Sequence, residues 1–150
     1  MKESIFDKDF SEEIISRIEK LSPETAGKWG RMTVSQMLKH CQQPLRVAMG
    51  DLKLKQNWIG FLFGKMAKRK FISTMSMGKN LPTDKNFIVL NNPNFENEKA
   101  ALVEMLRMFA EKGAEIITKE PHPFFGKMSI EEWDNLQVIH LKHHLNQFGV

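Results

Sequence analysis

Three of the five histidines in this 150-residue chain fall within five positions near its C-terminus, at His140, His143 and His144. Successive residues of an α-helix turn by about 100°, so His140 and His144 would lie one turn apart on the same face. Two imidazoles at this spacing supply half of a metal site, because neutral imidazole is a common ligand of divalent metals. The spacing alone leaves two interpretations open, a metal site and a polar cluster held by hydrogen bonds.

The helix face that carries His140 and His144 changes from apolar to polar along the predicted helix. Trp133 and Leu136 lie within about 40° of His140 on helical geometry, and Gln147 falls on the same side as His144. A buried face that begins apolar and ends polar is costly unless each polar group finds a partner. His143 lies about 60° from His140 on the other side, so we expect it to cap, pair or face solvent.

The two remaining histidines, His40 and His122, differ in how well they suit the role of a metal ligand. His40 lies on a second predicted helix and could supply a third ligand, which would give a three-histidine set with open coordination positions, as in catalytic zinc sites. The sequence lacks HExxH, so the glutamate base of that metalloprotease arrangement is absent, and the catalytic residues stay unassigned. His122, between two prolines, is predicted to be a rigid turn residue. Cys41 points about 100° away from His40 and is predicted to be core.

Four main helices would position these residues. Apolar spacing predicts a first helix at about 10–21, capped by Asp9 or Ser11, and a second that starts near Thr33. A third is predicted at 95–112 and a last at 130–147, where Ser129 and Glu132 form a capping-box pattern. In the second helix, Pro44 cannot donate a hydrogen bond to the carbonyl of His40. The helix therefore either kinks at Pro44 or ends near residue 43 and restarts.

Residues 58–71 are apolar first and basic afterwards. They fit a membrane-surface helix, a phosphate-binding face, or an excursion between bundle helices with buried aromatics and solvated lysines, which we favour. Gly60 and Gly64 count against a long stable amphipathic helix. The basic side chains are Lys65, Lys68, Arg69 and Lys70. Residues 76–94 are predicted to form the longest loop, with 87–90 docked on the bundle as an extended piece.

Length and composition narrow the class of protein. The chain fits one domain, residues 1–150, and 41% hydrophobic residues can bury a core. One cysteine excludes an internal disulfide and fits a reducing compartment. The charged N-terminal segment has no apolar signal run, and the longest apolar run is too short for a membrane span. We therefore expect a cytoplasmic protein. A formal charge of +4 does not demand nucleic acid, and we expect none as a partner.

Three stretches carry a resemblance to a known family. They are Trp29-Gly-Arg-Met-Thr-Val-Ser-Gln-Met-Leu-Lys-His40, Pro121-His-Pro-Phe-Phe-Gly-Lys-Met-Ser, and Glu132-Trp-Asp-Asn-Leu-Gln continuing through His140-Leu-Lys-His-His-Leu-Asn-Gln-Phe-Gly. With them the chain resembles the DinB-like (DinB/YfiT) superfamily of metal-dependent helical bundles, and is most similar to an uncharacterised bacterial subfamily. The family commonly has Arg and Gly where this chain has Leu145 and Asn146.

The resemblance implies a four-helix bundle, here with extra short helices and a long loop before the third main helix. It also implies that His40, His140 and His144 bind a divalent metal, zinc or nickel. Some members of that superfamily are thiol S-transferases that use a small bacterial thiol. The resulting hypothesis is a metal-dependent thiol S-transferase or hydrolase that acts on a small thiol or another small molecule. The alternative is a non-catalytic binding module of the same fold, with residues 58–71 as a partner or homodimer contact.

Overall fold

The computed structural model of the protein describes residues 3–56 and 58–150. This part of the chain is helical and contains no β-strand, which confirms the all-α class. Single 3-10 turns lie at Lys85–Phe87 and Gly113–Ile116. The five helices are α1 at Lys8–Glu19, α2 at Val34–Met49, α3 at Trp58–Thr74, α4 at Phe95–Lys112 and α5 at Ile130–Gln147.

Side-chain caps fix where the main helices begin. Thr33 and Ser129 each accept from a backbone N–H three residues on and complete a capping box, as the sequence predicted for Ser129. The predicted cap of α1 was wrong. Asp7, not Asp9 or Ser11, accepts from the backbone N–H of Phe10, whereas Ser11 is buried and donates to a carbonyl of α4. The helix therefore begins two residues earlier than predicted.

Helix α2 continues through Pro44, which decides between the two alternatives left by the sequence. Because Pro44 has no N–H, the carbonyl of His40 lacks its usual partner one turn later in the helix. The helix ends at Met49 and is capped by Gly50, whose φ of 80° places it in the left-handed region that suits glycine. His40 thus lies inside a sixteen-residue helix rather than at a break.

Four of the helices enclose the hydrophobic core. Helix α4 packs against α1 and α2, and α5 packs against α2 and α1. Fully buried side chains from these helices fill the space between them. They include Phe10, Ile14, Met37, Leu38, Leu45, Leu102, Leu106, Phe109 and Leu141. This packing holds α2 and α5 side by side, and so it sets the distance between His40 and the histidines of α5.

Helix α3 contradicts the expectation that its aromatic residues are buried. Trp58 is 71% exposed and Phe61 is 84% exposed. The reason is that the two glycines face the body of the protein, where Gly60 and Gly64 lie directly on the backbone of Phe124. Small residues on the inner side leave the large ones pointing outward. Among the described residues, no helix is both long enough and apolar enough to cross a membrane.

The segment between α3 and α4 is an irregular connection, as predicted. The prediction that 87–90 docks as an extended piece was wrong for most of the stretch: Phe87 is partly buried against the core, but it belongs to the 3-10 turn at Lys85–Phe87. Ile88 and Leu90 are largely exposed. The connection is tied to the start of α2, because Gln36 donates to the carbonyl of Asn91 at 3.1 Å. The connection therefore passes over the N-terminal end of α2, about one turn before His40.

Candidate metal centre

Helices α2 and α5 bring three buried histidines together at their interface. His40 projects from the middle of α2, and His140 and His144 project from successive turns of α5. One ring nitrogen of each lies within 4.8 Å of the other two, and each residue is less than one-tenth exposed. The structure thus places the three histidines singled out in the sequence at one point, so that they could hold a metal ion.

Hydrogen bonds fix which nitrogen of His40 and His144 is free. The Nδ1 of His40 lies 2.9 Å from the carbonyl oxygen of Phe87. Because a carbonyl only accepts, this Nδ1 carries the proton and Nε2 keeps its lone pair. The Nδ1 of His144 likewise donates to the Oε1 of Gln147 at 2.7 Å. Both rings therefore present Nε2 to the cluster, and such partners are typical of metal-ligating histidines.

The orientation of the Gln147 amide follows from its second contact. Its Nε2 donates to the carbonyl of Trp29 at 2.9 Å, so its Oε1 must face His144. The backbone carbonyl of Gln147 also accepts from the N–H of Lys28 at 2.7 Å. Gly30 makes room for this arrangement, because a Cβ there would meet the Gln147 Nε2 at 2.5 Å. The connection before α2 thereby holds the ring of His144 in place.

The spacing of one donor pair is close to that of two ligands on a single divalent ion. The Nε2 atoms of His40 and His140 are 3.1 Å apart. Ligands of a tetrahedral zinc site, with Zn–N distances of about 2.0–2.1 Å, lie roughly 3.3 Å from one another. Ring centroids separated by 4.6–5.0 Å show that all three imidazoles converge. Three nitrogen donors also leave at least one coordination position for another ligand.

Burial keeps the three imidazoles in the neutral form that metals bind. It is the largest cause of the lowered pKa of His40, and it lowers the pKa of His144 to about 3. The pKa of His140 lies well below its ordinary value, because of burial first and then of the nearby rings of His144 and His40. A proton therefore competes weakly for these nitrogens near neutral pH.

The other two histidines lie outside the cluster. His143 is partly buried, packs edge-on to Trp29 at 5.8 Å between ring centroids and hydrogen-bonds the backbone of Met77. It pairs, as one of its predicted roles allows. The Nδ1 of His122 accepts from the backbone N–H groups of Phe124 and Phe125, at 3.0 and 3.1 Å. His122 is thus the predicted turn residue, and burial lowers its pKa to about 4.

Two further candidates from the sequence also lie apart from the cluster. Cys41 is fully buried in the core, as predicted, and burial raises the pKa of its thiol so that it stays protonated at neutral pH. In the basic stretch of α3, Lys68 pairs with Glu132 at 2.9 Å and contacts the carbonyl of Lys127. Neither position supplies a ligand.

The groups that orient the ligands were harder to find in the sequence. Gln147 carried a signal, since it lies three residues after His144 on the same side of the helix. The carbonyl of Phe87 carried none, because a backbone acceptor leaves no trace in residue type. Phe87 lies in the connection between α3 and α4, and Gln147 lies at the end of α5. The orienting groups therefore come from a connection and from a helix end.

Comparisons with known proteins give the chain a family but no activity. A protein-family model described as "Protein of unknown function (DUF1569)" matches residues 5–149. No curated protein and no solved structure matches the chain. The matched range contains all three histidines of the cluster. The chemistry of the site must therefore be argued from its own residues.

Proposed function

The chain belongs to the DUF1569 family, and we propose that it is a metalloprotein that holds one divalent ion, zinc or nickel, on His40, His140 and His144. One observation carries the proposal. Three buried, neutral imidazoles converge from two helices, and the Nδ1 atoms of two of them are already engaged by acceptors. The 3.1 Å contact between the Nε2 atoms of His40 and His140 pairs two of the rings, and a metal ion would be a common partner for all three.

We further propose that the site is catalytic and transfers the sulfur of a small thiol to an electrophilic carbon. The ion would lower the pKa of a thiol bound at the open position. In the reaction, a sulfur–carbon bond forms, the leaving group departs with its bonding electrons, and the thiol proton passes to solvent. The groups that hydrogen-bond the ligands, an amide and a carbonyl, cannot act as a general base. This favours a substrate that brings its own nucleophile over hydrolysis.

We propose that Gln137 assists at the open position. It lies one turn before His140 on α5 and is 1% exposed. Among the described residues, its Nε2 is a buried side-chain nitrogen with no hydrogen-bond partner. A buried donor next to a metal ligand can donate to a substrate atom that binds there. The resemblance to DinB-like proteins agrees with this proposal and is part of it.

The alternative is a binding module that holds the metal without turnover. The exposed apolar residues of α3 favour it, because such surfaces often contact partners. The two functions separate by assay. A catalytic site turns over a thiol and an electrophile above the background rate only when loaded, whereas a module shows the background rate for every thiol.

Metal content tests the first step. We expect about one equivalent of zinc or nickel in the purified protein, by elemental analysis after repletion and desalting. His140→Ala and His144→Ala should lose it, because two imidazoles hold a divalent ion far less tightly than three. His143→Ala is the matched control, since this neighbour lies outside the cluster, and it should retain the metal.

Thiol transfer tests the second step. The loaded protein, the chelated protein and the His144→Ala variant are each assayed with small thiols and an alkyl electrophile. We expect transfer by the loaded protein alone. An equivalent of metal that persists in both ligand variants would overturn the site. Metal bound as expected without transfer would leave the site standing and reject the transferase.

A further inference from the structure

Helix α3 presents large apolar side chains that the rest of the chain leaves mostly exposed. Trp58, Phe61, Leu62, Phe63 and Met66 are each more than half exposed. A cluster of five large exposed apolar side chains on one helix is unusual for a surface with no partner. We call these five residues the α3 apolar surface. They cannot be explained as core residues, because the body of the protein meets the opposite side of the helix.

The contacts that attach α3 to the bundle determine which side of the helix faces outward. Gly60 and Gly64 lie directly on the backbone of Phe124, where a side chain would not fit. Farther along the helix, Lys68 pairs with Glu132 of α5 at 2.9 Å. These contacts fix the inner side of the helix. The α3 apolar surface therefore faces outward, because the opposite side of the helix contacts the bundle.

The charge around this surface is distributed unevenly. Residues 52–83 contain seven Lys and Arg residues and no Asp or Glu. The other 118 residues carry the remaining 15 basic residues and all 18 acidic ones. The segment around α3 thus has a formal charge of +7, and the rest of the chain has −3. Any partner of the α3 apolar surface must tolerate or complement this positive charge.

We propose that α3 docks on the surface of an anionic lipid bilayer. The apolar side chains would enter the boundary between headgroups and acyl chains, to a depth of about 5–10 Å. Lys65 and Arg69, on the same outward side as Trp58 and Leu62, would reach the anionic headgroups with their flexible stems. Trp58 has the amphipathic ring that favours this interface. The proposal concerns peripheral binding and does not depend on the metal site.

A lipid surface matches the α3 apolar surface and its charge better than a second copy of the chain or a nucleic acid does. A second copy of the chain in a two-fold dimer would place the same +7 segment against itself, because such an interface is self-complementary. Nucleic acid would complement the charge but would offer little apolar surface to five large side chains. An anionic bilayer supplies both an apolar phase and negative charge.

Co-sedimentation of the full chain with vesicles tests the proposal. We expect binding to vesicles of phosphatidylcholine and phosphatidylglycerol at 70:30 and weak binding to pure phosphatidylcholine, at low salt. Two double variants, Phe61→Ser with Leu62→Ser and Lys65→Glu with Arg69→Glu, should each weaken binding by more than about tenfold. These side chains are exposed, so we expect the variants to fold, which circular dichroism melting checks.

A matched control and a spectral signal sharpen the result. Lys8→Glu with Lys119→Glu makes the same charge change at exposed positions elsewhere and should bind as the wild type does. Insertion should shift Trp58 emission to shorter wavelength, and the Trp58→Phe variant should lack this component. Equal binding by the Phe61→Ser, Leu62→Ser variant would overturn the proposal. So would no binding to either vesicle, or a dimer in sedimentation velocity that this variant dissociates.

Discussion

At the scale of single residues, Gln147 controls the geometry of the candidate metal centre. Its side chain accepts from His144 and donates to the carbonyl of Trp29, and its backbone carbonyl accepts from Lys28. One residue thus ties His144 to the connection before α2. Groups that orient metal-ligating histidines commonly raise metal affinity, because they hold the ring and its tautomer in the binding state.

We therefore expect Gln147→Leu to weaken metal binding by about 10–100-fold while all three ligands remain. Leucine has a similar size but cannot accept from the Nδ1 of His144. Competition with a chromophoric chelator measures the affinity. Asn146→Ala is the control, because Asn146 is exposed on the adjacent position and contacts Arg17 instead. Equal affinities in the two variants would show that Gln147 does not position the ligand.

The clustering of the three histidines was predictable from the sequence, whereas their surroundings were only partly so. The i, i+4 spacing selected His140 and His144 and set His143 aside, because helical geometry alone decides which side chains share a face. His40 required the resemblance as well as the helix pattern. The acceptor of its Nδ1 is a backbone carbonyl 47 residues away. A contact of this kind depends on the path of a connection, which residue types do not specify.

At the scale of elements, α3 depends on its two glycines. A glycine inside a helix usually weakens it, so Gly60 and Gly64 counted against a long stable helix in the sequence. In the structure the same residues allow the closest approach of α3 to the backbone of Phe124. They are four positions apart, so they lie on one side of the helix. The glycines serve the attachment of α3 to the bundle rather than a break in it.

We expect Gly64→Ala to destabilise the protein by about 1–2 kcal/mol, although alanine favours helices, because the added methyl group would overlap the carbonyl oxygen of Phe124. Urea unfolding measures the change, and limited proteolysis should show faster cleavage next to α3. Gly78→Ala is the control. Its methyl group would meet only the side chain of Leu81 at 3.6 Å or more. Equal stability of the two variants would contradict the close attachment of α3.

The other helices followed from the sequence more directly than α3 did. Ser129 was recognised as a cap by its spacing to Glu132, and the structure contains both hydrogen bonds of that capping box. Caps are local, so a few residues suffice to predict them. The outward direction of Trp58 and Phe61 is not local, because it depends on which side of α3 meets the rest of the chain. Composition suggested burial, and close packing at the glycines overrode it.

At the scale of the whole molecule, buried neutral histidines link the stability of the fold to pH. The three histidines of the candidate metal centre and His122 are all buried in the folded chain. His122 packs on Trp133, with ring centroids 5.2 Å apart. Trp133 itself lies about two helical turns before His140 on α5. In the unfolded chain each imidazole gains a proton near its ordinary pKa of 6.5. The unfolded state thus takes up protons before the folded state does as the pH falls.

For His122 the sign and the pH window follow from its pKa of about 4 in the folded protein. Since this value is depressed, its contribution to stability is fully present above pH 6.5 and is lost as the pH falls towards 4. The loss from this one residue is up to about 3 kcal/mol, on 1.36 kcal/mol per pKa unit. Below pH 4 both states carry the proton, and the contribution stays constant.

We therefore expect His122→Asn to flatten the dependence of the unfolding free energy on pH between 6.5 and 4. The asparagine oxygen can accept from the N–H groups of Phe124 and Phe125, as the Nδ1 of His122 does, but it does not titrate. Urea unfolding at each pH, with a chelator present, measures the effect. The metal-site histidines then contribute equally to both proteins. At neutral pH the variant is expected to be the less stable, because it loses the packing of the ring on Trp133, and the gap should close as the pH falls. Parallel curves would show that His122 is not held neutral by burial.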